Sequence, residues 1–440
     1  MERKQNIITH LSIKDKNKFL SNQAVRWKIS LLLCLASGLN ALDRNAFAIL
    51  ASTIQAEFSW SDIDYANLTS LFVFSYTLMY ALSGKIVDRI GTRKGFGIAV
   101  GSWSFVAAMH AVVSTLAQFS IVRFFLGITE SANFPAGVKA STEWFPLKER
   151  ALAIGIFNAG TAIGAAVAVP LVSFIALAFG WRIAFLVTGL LGFVWLFFWL
   201  RNYYSPQDHP KITKEEKEYI LQDDIPSTDN EGEKKIKLKD LLKRKETWGC
   251  FSARILIDPV TYFLLFWIPK YLQDVQGLSL KELGFAAWLP YTAMGLGTIL
   301  GGYIPKLLIE QRGWSLNKSR KTVMAMASLL IPLLCFVLFS GANPIIAVLL
   351  ISGIMLSHGL WANITIPSEI YPKQVQATLT GIGGTLGGIT GVISQQMIGN
   401  TITAHSYLPI FIYIGGAYLF CFFCVQLLVG KLGVIRNINN

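Results

Sequence analysis

Apolar residues come in runs of about 20, split by short polar breaks, along most of the chain. A helix needs about 20 such residues to cross the roughly 30 Å hydrocarbon core of a bilayer. Twelve spans are predicted, at 27–52, 64–87, 95–114, 118–140, 149–177, 181–201, 248–273, 281–309, 321–340, 344–368, 374–402 and 408–430. A polar stretch, 202–247, divides six spans from six. It contains Pro206, Pro210, Pro226 and a mixed-charge run from Glu231 to Lys245. Such a stretch is a solvated linker with one or two short amphipathic helices. The expected organisation is a tail 1–26, a six-helix bundle 27–201, the linker 202–247, a second six-helix bundle 248–430 and a tail 431–440.

Composition narrows the class. Of 440 residues 53% are apolar and 15% charged, against about 25% charged in a soluble domain. Mean hydropathy is +0.49. Disordered chains, coiled coils and ordinary soluble enzymes are excluded. The net charge of +13 lacks the solvated basic patch with exposed aromatics that nucleic acid requires. It gathers instead at alternate turns: the N-terminus, Lys85 to Lys94, Lys148 and Arg150, the linker, and Arg312 to Lys321. The opposite turns, 53–63, 114–118, 340–344 and 400–408, hold no Lys or Arg. The placement puts both termini and the linker in the cytoplasm. No removable leader is expected, because the first 28 residues are polar and basic. Cys421 and Cys424 form a CxxC inside an apolar helix without His or acid nearby; no cofactor or metal is expected.

The halves repeat. At an offset of 226, Glu143, Pro146, Ala151, Gly155, Ile156 and Ile163 fall on Glu369, Pro372, Ala377, Gly381, Ile382 and Ile389. Span five thus maps onto span eleven in the same direction. Parallel six-helix repeats place a substrate site near the midplane, between the halves. Glycines four apart (Gly160/Gly164, Gly297/Gly301, Gly383/Gly387, Gly384/Gly388) mark close helix contacts. No strand precedes 381–388 and no Lys-Ser/Thr follows it, which argues against a phosphate loop.

Four charges sit where lipid would be. Each costs about 2.5–3.5 kcal/mol at mid-bilayer and needs a reason. Asp43 and Arg44 lie in the first span, Arg123 and Glu130 in the fourth. Arg123 and Glu130, seven apart, share a helix face about 10 Å from each other, and the adjacent Asp43 and Arg44 point about 100° apart. The four charges cancel if all face one cavity. One reading makes them buried salt bridges that hold helices together, a poor source of stability. The other divides the tasks. Arg44 and Arg123 offer planar forks that suit a carboxylate. Asp43 and Glu130 are carboxyls whose proton affinity depends on whether an arginine is occupied. The second half lacks matching charges: Leu349 and Leu356 stand at the offset positions. It offers Asp258, Thr261, Tyr262, His358, Trp361 and Asn363. Asp258 precedes Pro259 and is expected to cap a broken helix. Tyr262 and Trp361 either wall a substrate or are core aromatics, and His358 either titrates or is a core histidine.

Gly84 to Lys94 reads GKIVDRIGTRK and fits G-x-x-x-D-R-x-G-x-R-K at every fixed position. The match, carried by Gly84, Asp88, Arg89, Gly91, Arg93 and Lys94, resembles the signature of the major facilitator superfamily, an electrostatic latch between helix ends. A degraded copy keeps Gly302, Arg312, Gly313, Arg320 and Lys321. Within that superfamily the chain resembles the anion:cation symporters and, more narrowly, bacterial hexuronate transporters. The resemblance is carried by LDR at 42–44, RFFLG…E…NFPAG at 123–137, EWFPLKERALAIGIFN at 143–158, DPVTYFLLFWIPKYL at 258–272 and SHGLWAN at 357–363. It implies an all-α membrane protein of twelve transmembrane helices in two parallel six-helix repeats, the major facilitator fold. It also implies that Arg44 and Arg123 face the substrate anion, that Asp43 and Glu130 couple protons, and that Tyr76, Asn158 and Thr161 line the cavity. Thr261 and Tyr262 stand where hexuronate transporters tend to have two tryptophans. GGTLGG at 383–388 stands where some relatives place an asparagine. The expectation is a monomeric, proton-coupled importer of a small organic anion, a hexuronate or related sugar acid, in a bacterial inner membrane. Substrate and protons, with the lipid bilayer, are its partners. A carrier or exporter of another carboxylate is the alternative; a membrane enzyme would need a nucleophile–base pair or metal cluster that the scattered His and Cys do not supply, and a transporter-like sensor is not favoured by so short and ordinary a linker.

Overall fold

The computed structural model describes residues 24–222, 238–339, 343–361, 366–371, 373–404 and 406–432. The tails before residue 24 and after residue 432, linker residues 223–237 and Asn363 lie outside these. Regular structure among the described residues is helical, without strands. Span one is Ala24–Ile49, followed by a short helix Ala51–Phe58. Span two is Asp62–Ile90, span three Thr92–Met109, and span four runs as Leu116–Glu130 then Asn133–Trp144. Spans five and six are Leu147–Phe179 and Trp181–Asn202. In the second half, span seven is Lys245–Phe266 then Ile268–Asp274, and span eight Leu280–Ala286 then Trp288–Arg312. Spans nine to eleven are Leu316–Phe339, Pro344–Trp361 and Lys373–Ala404. Span twelve, Leu408–Cys424, ends in a widened turn, Val425–Val429. Two short helices, Lys214–Leu221 and Leu238–Leu242, lie in the linker.

Eight of these spans are long and apolar enough to cross a bilayer by themselves, and the bent second span makes nine. The other three are diluted by local chemistry: a basic start at Arg93 and Lys94, a break beside Glu130, and the Gly/Thr/Gln content of span eleven. Side-chain caps set three starts at one end of the molecule. Ser61, Thr115 and Ser279 each close a capping box, with Asp64, Gln118 and Glu282. Proline sets two interruptions. Pro135 lacks the N–H that would continue span four past Glu130, and Pro269 opens the helix that follows Trp267. The expected break at Pro259 does not occur. Lys245–Phe266 runs through that proline, and Asp258 pairs with Arg254 at 2.9 Å instead of capping a helix end. Gly91 and Gly180 join consecutive spans at φ of 83° and 89°, where any side chain would be strained.

The two halves are built alike. Span one packs on five, two on four and three on six; span seven packs on eleven, eight on ten and nine on twelve. The glycine pairs make these contacts close. Gly160 and Gly164 lie against the backbone of Cys34 and Gly38, and Gly297 and Gly301 against Leu356 and Leu360. The junction residues related by the 226 offset also correspond. Glu143 accepts from Thr92 at 2.6 Å and from Tyr203 at 2.5 Å, while Glu369 pairs with Arg320 at 2.7 Å. Each glutamate ties a four–five or ten–eleven junction to the start of span three or nine.

The halves meet along two seams, span two on eleven and span five on eight. Small residues line both: Gly388 faces Thr77, Gly399 Ala66, Gly284 Ser173 and Gly295 Ala162. Polar bonds between the halves gather at the end opposite the basic turns. Lys270 pairs with Asp62 at 2.9 Å and with Asp274 on its own helix. Ser52 donates to Asp274 at 2.8 Å, Gln273 to the Ile49 carbonyl at 3.2 Å and Tyr65 to the Phe266 carbonyl at 2.6 Å. Gln396 donates to Asn67 and Ser70, both at 2.9 Å. The molecule is therefore fastened at that end.

Candidate functional site

Spans one and four deliver the charged residues to the middle of the N-terminal bundle. Arg44 donates from Nε and Nη2 to one oxygen of Glu130, at 3.0 and 2.9 Å, and from Nη2 to Asn40 at 3.1 Å. Its guanidinium lies 4.9 Å from the Tyr76 ring and 5.5 Å from the Phe72 ring. Arg123 is only 1% exposed and lies 3.7 Å from the Phe47 ring and 5.8 Å from Phe72. Both guanidiniums thus face one phenyl ring, that of Phe72, and Glu130 lies in the field of both.

The two arginines differ in satisfaction. Glu130 neutralises Arg44 directly. Arg123 has aromatic faces but no carboxylate, and its Nε and Nη2 lack an acceptor among the described residues. A buried guanidinium with free donors is costly unless a partner arrives. Arg123 and Glu130 share one helix about 10 Å apart, too far to pair, and the carboxylate reaches Arg44 of span one instead. Asp43 is buried and directed elsewhere. It faces Thr188 of span six, and both its oxygens lack a hydrogen-bond partner among the described residues. The roughly 100° between successive helical side chains accounts for the separation: when Arg44 points at the boundary between halves, Asp43 points into its own bundle.

Other expected residues distribute as follows. Tyr76 stacks on Tyr80, centroids 5.8 Å apart, and both are half-buried on span two. Thr161 shares a 2.7 Å hydrogen bond with Ser37, and Asn158 is exposed one turn away on span five. Across the boundary Tyr262 lies in the field of Arg44 and stacks on Phe266 at 6.2 Å. His358 is within 3.4 Å of Thr261 and bonds Tyr418. Trp361 is fully buried against Tyr418, 5.8 Å, and Phe422, 6.3 Å. His358 and Trp361 therefore turn toward span twelve, inside the C-terminal bundle.

The signature turn fastens the basic end of the N-terminal bundle. Asp88 pairs with Lys139 of span four at 2.8 Å. Arg93 donates to the Leu200 carbonyl at 2.5 Å and covers the Tyr204 ring at 4.0 Å. Gly84 lies beside Pro135, Gly91 makes the turn, and Arg89 and Lys94 are exposed.

Two charged residues of span seven were overlooked in the pattern. Arg254, 22% exposed, pairs with Asp258, and Lys270 makes the fastening described above. The second half therefore does carry intramembrane charge. Arg254 is the tenth residue of Lys245–Phe266; its i,i+4 spacing from Asp258 marked it in the sequence.

The Major Facilitator Superfamily model matches residues 33–395. The chain is 32% identical to the hexuronate transporter of Escherichia coli strain K12 over 392 residues, covering 88% of this chain and 90% of that protein. It is 35% identical to the galacturonate transporter of Dickeya chrysanthemi, covering 70% of this chain and 89% of that one. Among solved structures, a bacterial homologue of the human lysosomal transporter Spinster, inward-facing and unoccupied, superposes with a TM-score of 0.73 at 17% identity, covering 92% of this chain and 98% of that chain. That likeness shows the fold of twelve helices in two parallel repeats.

Proposed function

Because the chain belongs to the major facilitator superfamily, we propose that it imports a sugar acid, a hexuronate or a close relative, across a bacterial inner membrane with protons, by alternating access. It is a transporter and not an enzyme. The observation that carries the reading is the pair of guanidiniums facing Phe72, one held by Glu130 and one with its donors open. Relatives named for hexuronate and galacturonate supply the chemical class of cargo.

In this reading Arg123 receives the substrate carboxylate, because no carboxylate of the protein holds it and its Nε and Nη2 are buried without an acceptor among the described residues. A carboxylate reaching Arg44 competes with Glu130 for the same fork. Glu130, once displaced, needs a proton to stay in dry surroundings. Binding of the anion and protonation of Glu130 thereby go together, which is the coupling. Asp43 is the second proton carrier, set against Thr188. Tyr76 and Tyr262 wall the sugar from opposite halves, Asn158 and Thr161 contribute from span five, and His358 and Trp361 support the C-terminal side. Gly84, Asp88, Arg89, Gly91, Arg93 and Lys94 hold the helix ends that must move as a unit. With the basic turns cytoplasmic, the fastened end is outside and the site opens inward. The carrier acts as a monomer.

Reconstituted liposomes test the proposal. Glu130→Gln is expected to abolish uptake driven by a proton gradient while counterflow of labelled glucuronate persists. Undiminished concentrative uptake by that variant overturns the proton role, and absence of any sugar-acid counterflow in the unmodified carrier overturns the substrate.

A further inference from the structure

Arg254 lies nine residues into span seven, about 14 Å along the helix from Lys245. An arginine at that depth needs a reason. Its partner is Asp258, one turn on, with Nη2 and Oδ2 2.9 Å apart; the side chains are 22% and 10% exposed, so the pair is not sealed. Span eleven makes room for it. A Cβ at Gly383 would stand 3.3 Å from Cγ of Arg254, one at Gly384 would stand 3.5 Å from Nη2, and one at Gly387 would fall on the Asp258 carboxylate. The GGTLGG segment is thus a backbone wall against which an ion pair lies. If packing alone were needed, apolar side chains would serve at least as well.

The surroundings point toward the site described above. Arg254 lies in the field of Tyr80 from the first half and of Tyr262 from its own span; Tyr262 is also in the field of Arg44. Tyr80 stacks on Tyr76, and Tyr76 carries Arg44. Tyr76, Tyr80 and Tyr262 thus lie among the charges of the two arginines. Nε of Arg254 has no acceptor among the described residues. A guanidinium has five donors, so one carboxylate partner does not exhaust it.

We infer that Arg254 is the carboxylate site of the C-terminal half, and that the carrier takes six-carbon sugar diacids lengthwise, one carboxylate at Arg44 and Arg123 and the other at Arg254 in exchange for Asp258. This rests on the sugar-acid reading and extends it to a second charge on the cargo. A six-carbon chain built of bonds of about 1.5 Å spans roughly 6 Å, and with a hydrogen bond of about 3 Å at each end the reading requires the carboxylate-binding guanidiniums of the two halves to stand about 12 Å apart when substrate is bound. Asp258 holds Arg254 when no second carboxylate is present, so monoacids leave the pair closed.

The test compares D-glucarate, with two carboxylates, and D-glucuronate, with one, by calorimetric binding to the purified full-length carrier. The readout is the ratio of the two Kd values. Arg254→Gln is expected to shift that ratio about tenfold against glucarate, and Asp258→Asn to shift it severalfold in glucarate's favour. A purely structural pair moves both Kd values together, and an unchanged ratio in both variants overturns the inference. Should Arg254→Gln not fold, Asp258→Asn decides alone. Wild-type protein that binds glucuronate but not glucarate overturns this inference and leaves the sugar-acid reading standing; binding of neither overturns both.

Discussion

Removing the charge of Lys270 will loosen the fastened end of the molecule. Its side chain is 6% exposed, and its ammonium pairs with Asp62 at 2.9 Å and with Asp274. Breaking a fully buried pair costs about 3–5 kcal/mol, whereas a surface pair is worth about 0–1 kcal/mol. Asp62 and Asp274 are a quarter to a third exposed, so in Lys270→Met the two abandoned carboxylates recover part of their hydration, and about 2 kcal/mol is a fair expectation. Asp274 shares a helix with Lys270, so only the Asp62 arm joins the halves. That leaves about 1–2 kcal/mol for closure itself. At 1.4 kcal/mol per tenfold, the ratio of closed to open molecules should fall about 5- to 30-fold. Spin labels at Ala56 and Val275, both exposed at this end, in a background without the native cysteines, would report it by pulsed dipolar spectroscopy. A longer distance should gain population in Lys270→Met, Asp62→Asn should reproduce most of the change, and the double variant should add little more. Identical distance distributions, or strictly additive effects, would refute the reasoning.

Other outcomes follow from contacts already described. Gly164→Val drives a side chain into the Gly38 backbone and should cost at least about 1–3 kcal/mol, seen as a lower melting temperature in detergent; Gly155→Val, on the same helix with open space around it, should change little. Glu57 accepts from Trp181 at 2.5 Å and from Arg182 at 2.7 Å, bonds that hold its carboxyl below the usual range, the Trp181 bond chiefly. A depressed carboxyl stabilises above its unfolded pKa and loses that contribution as pH falls through the folded one. The melting difference between wild type and Glu57→Gln should therefore be largest near neutrality, at most about 1 kcal/mol for so exposed a pair, and vanish in acid. Arg26 bonds Glu149 at 3.2 Å, pairs with Glu216 at 3.8 Å and covers Tyr219 at 4.9 Å. Arg26→Ala should speed amide exchange in Lys214–Leu221 while leaving exchange around Lys270 unchanged. Unchanged rates in both regions would count against Arg26 as the anchor of that helix.

The architecture was legible because a bilayer enforces it. Apolar runs, alternate basic turns and a common 226 offset each report one constraint, and the mirrored helix pairs agree with them. The glycines were legible for a related reason, since close backbone approach requires them at Gly160, Gly164, Gly297 and Gly301. Arg44, Glu130, Arg123 and Asp43 could be picked out as isolated charges in lipid-length segments. How they divide could not, because the packing of span one against span four decides that Glu130 meets Arg44. The second half was harder. Lys270 sits near the end of span seven, where charge is common, Arg254 lies well inside it, and their partners are a turn away or across the boundary. Pro259 points in the opposite direction: a long span packed on neighbours carries a proline without interruption, and Asp258 pairs with Arg254 within it. Asn158 and Thr161 are named by resemblance, and Thr161 proves to bond Ser37, a contact with no local sequence signal.

The two seams between the halves carry a mechanical consequence. Gly388 against Thr77, Gly399 against Ala66, Gly284 against Ser173 and Gly295 against Ala162 give surfaces with little relief, so in the proposed alternating access one bundle would rock on the other as on a plain bearing, with few side-chain teeth to disengage at each stroke. Friction then resides in the fasteners at the rim rather than in the sliding faces, and a single methyl group added on either seam should act as a brake on turnover before it acts on the fold.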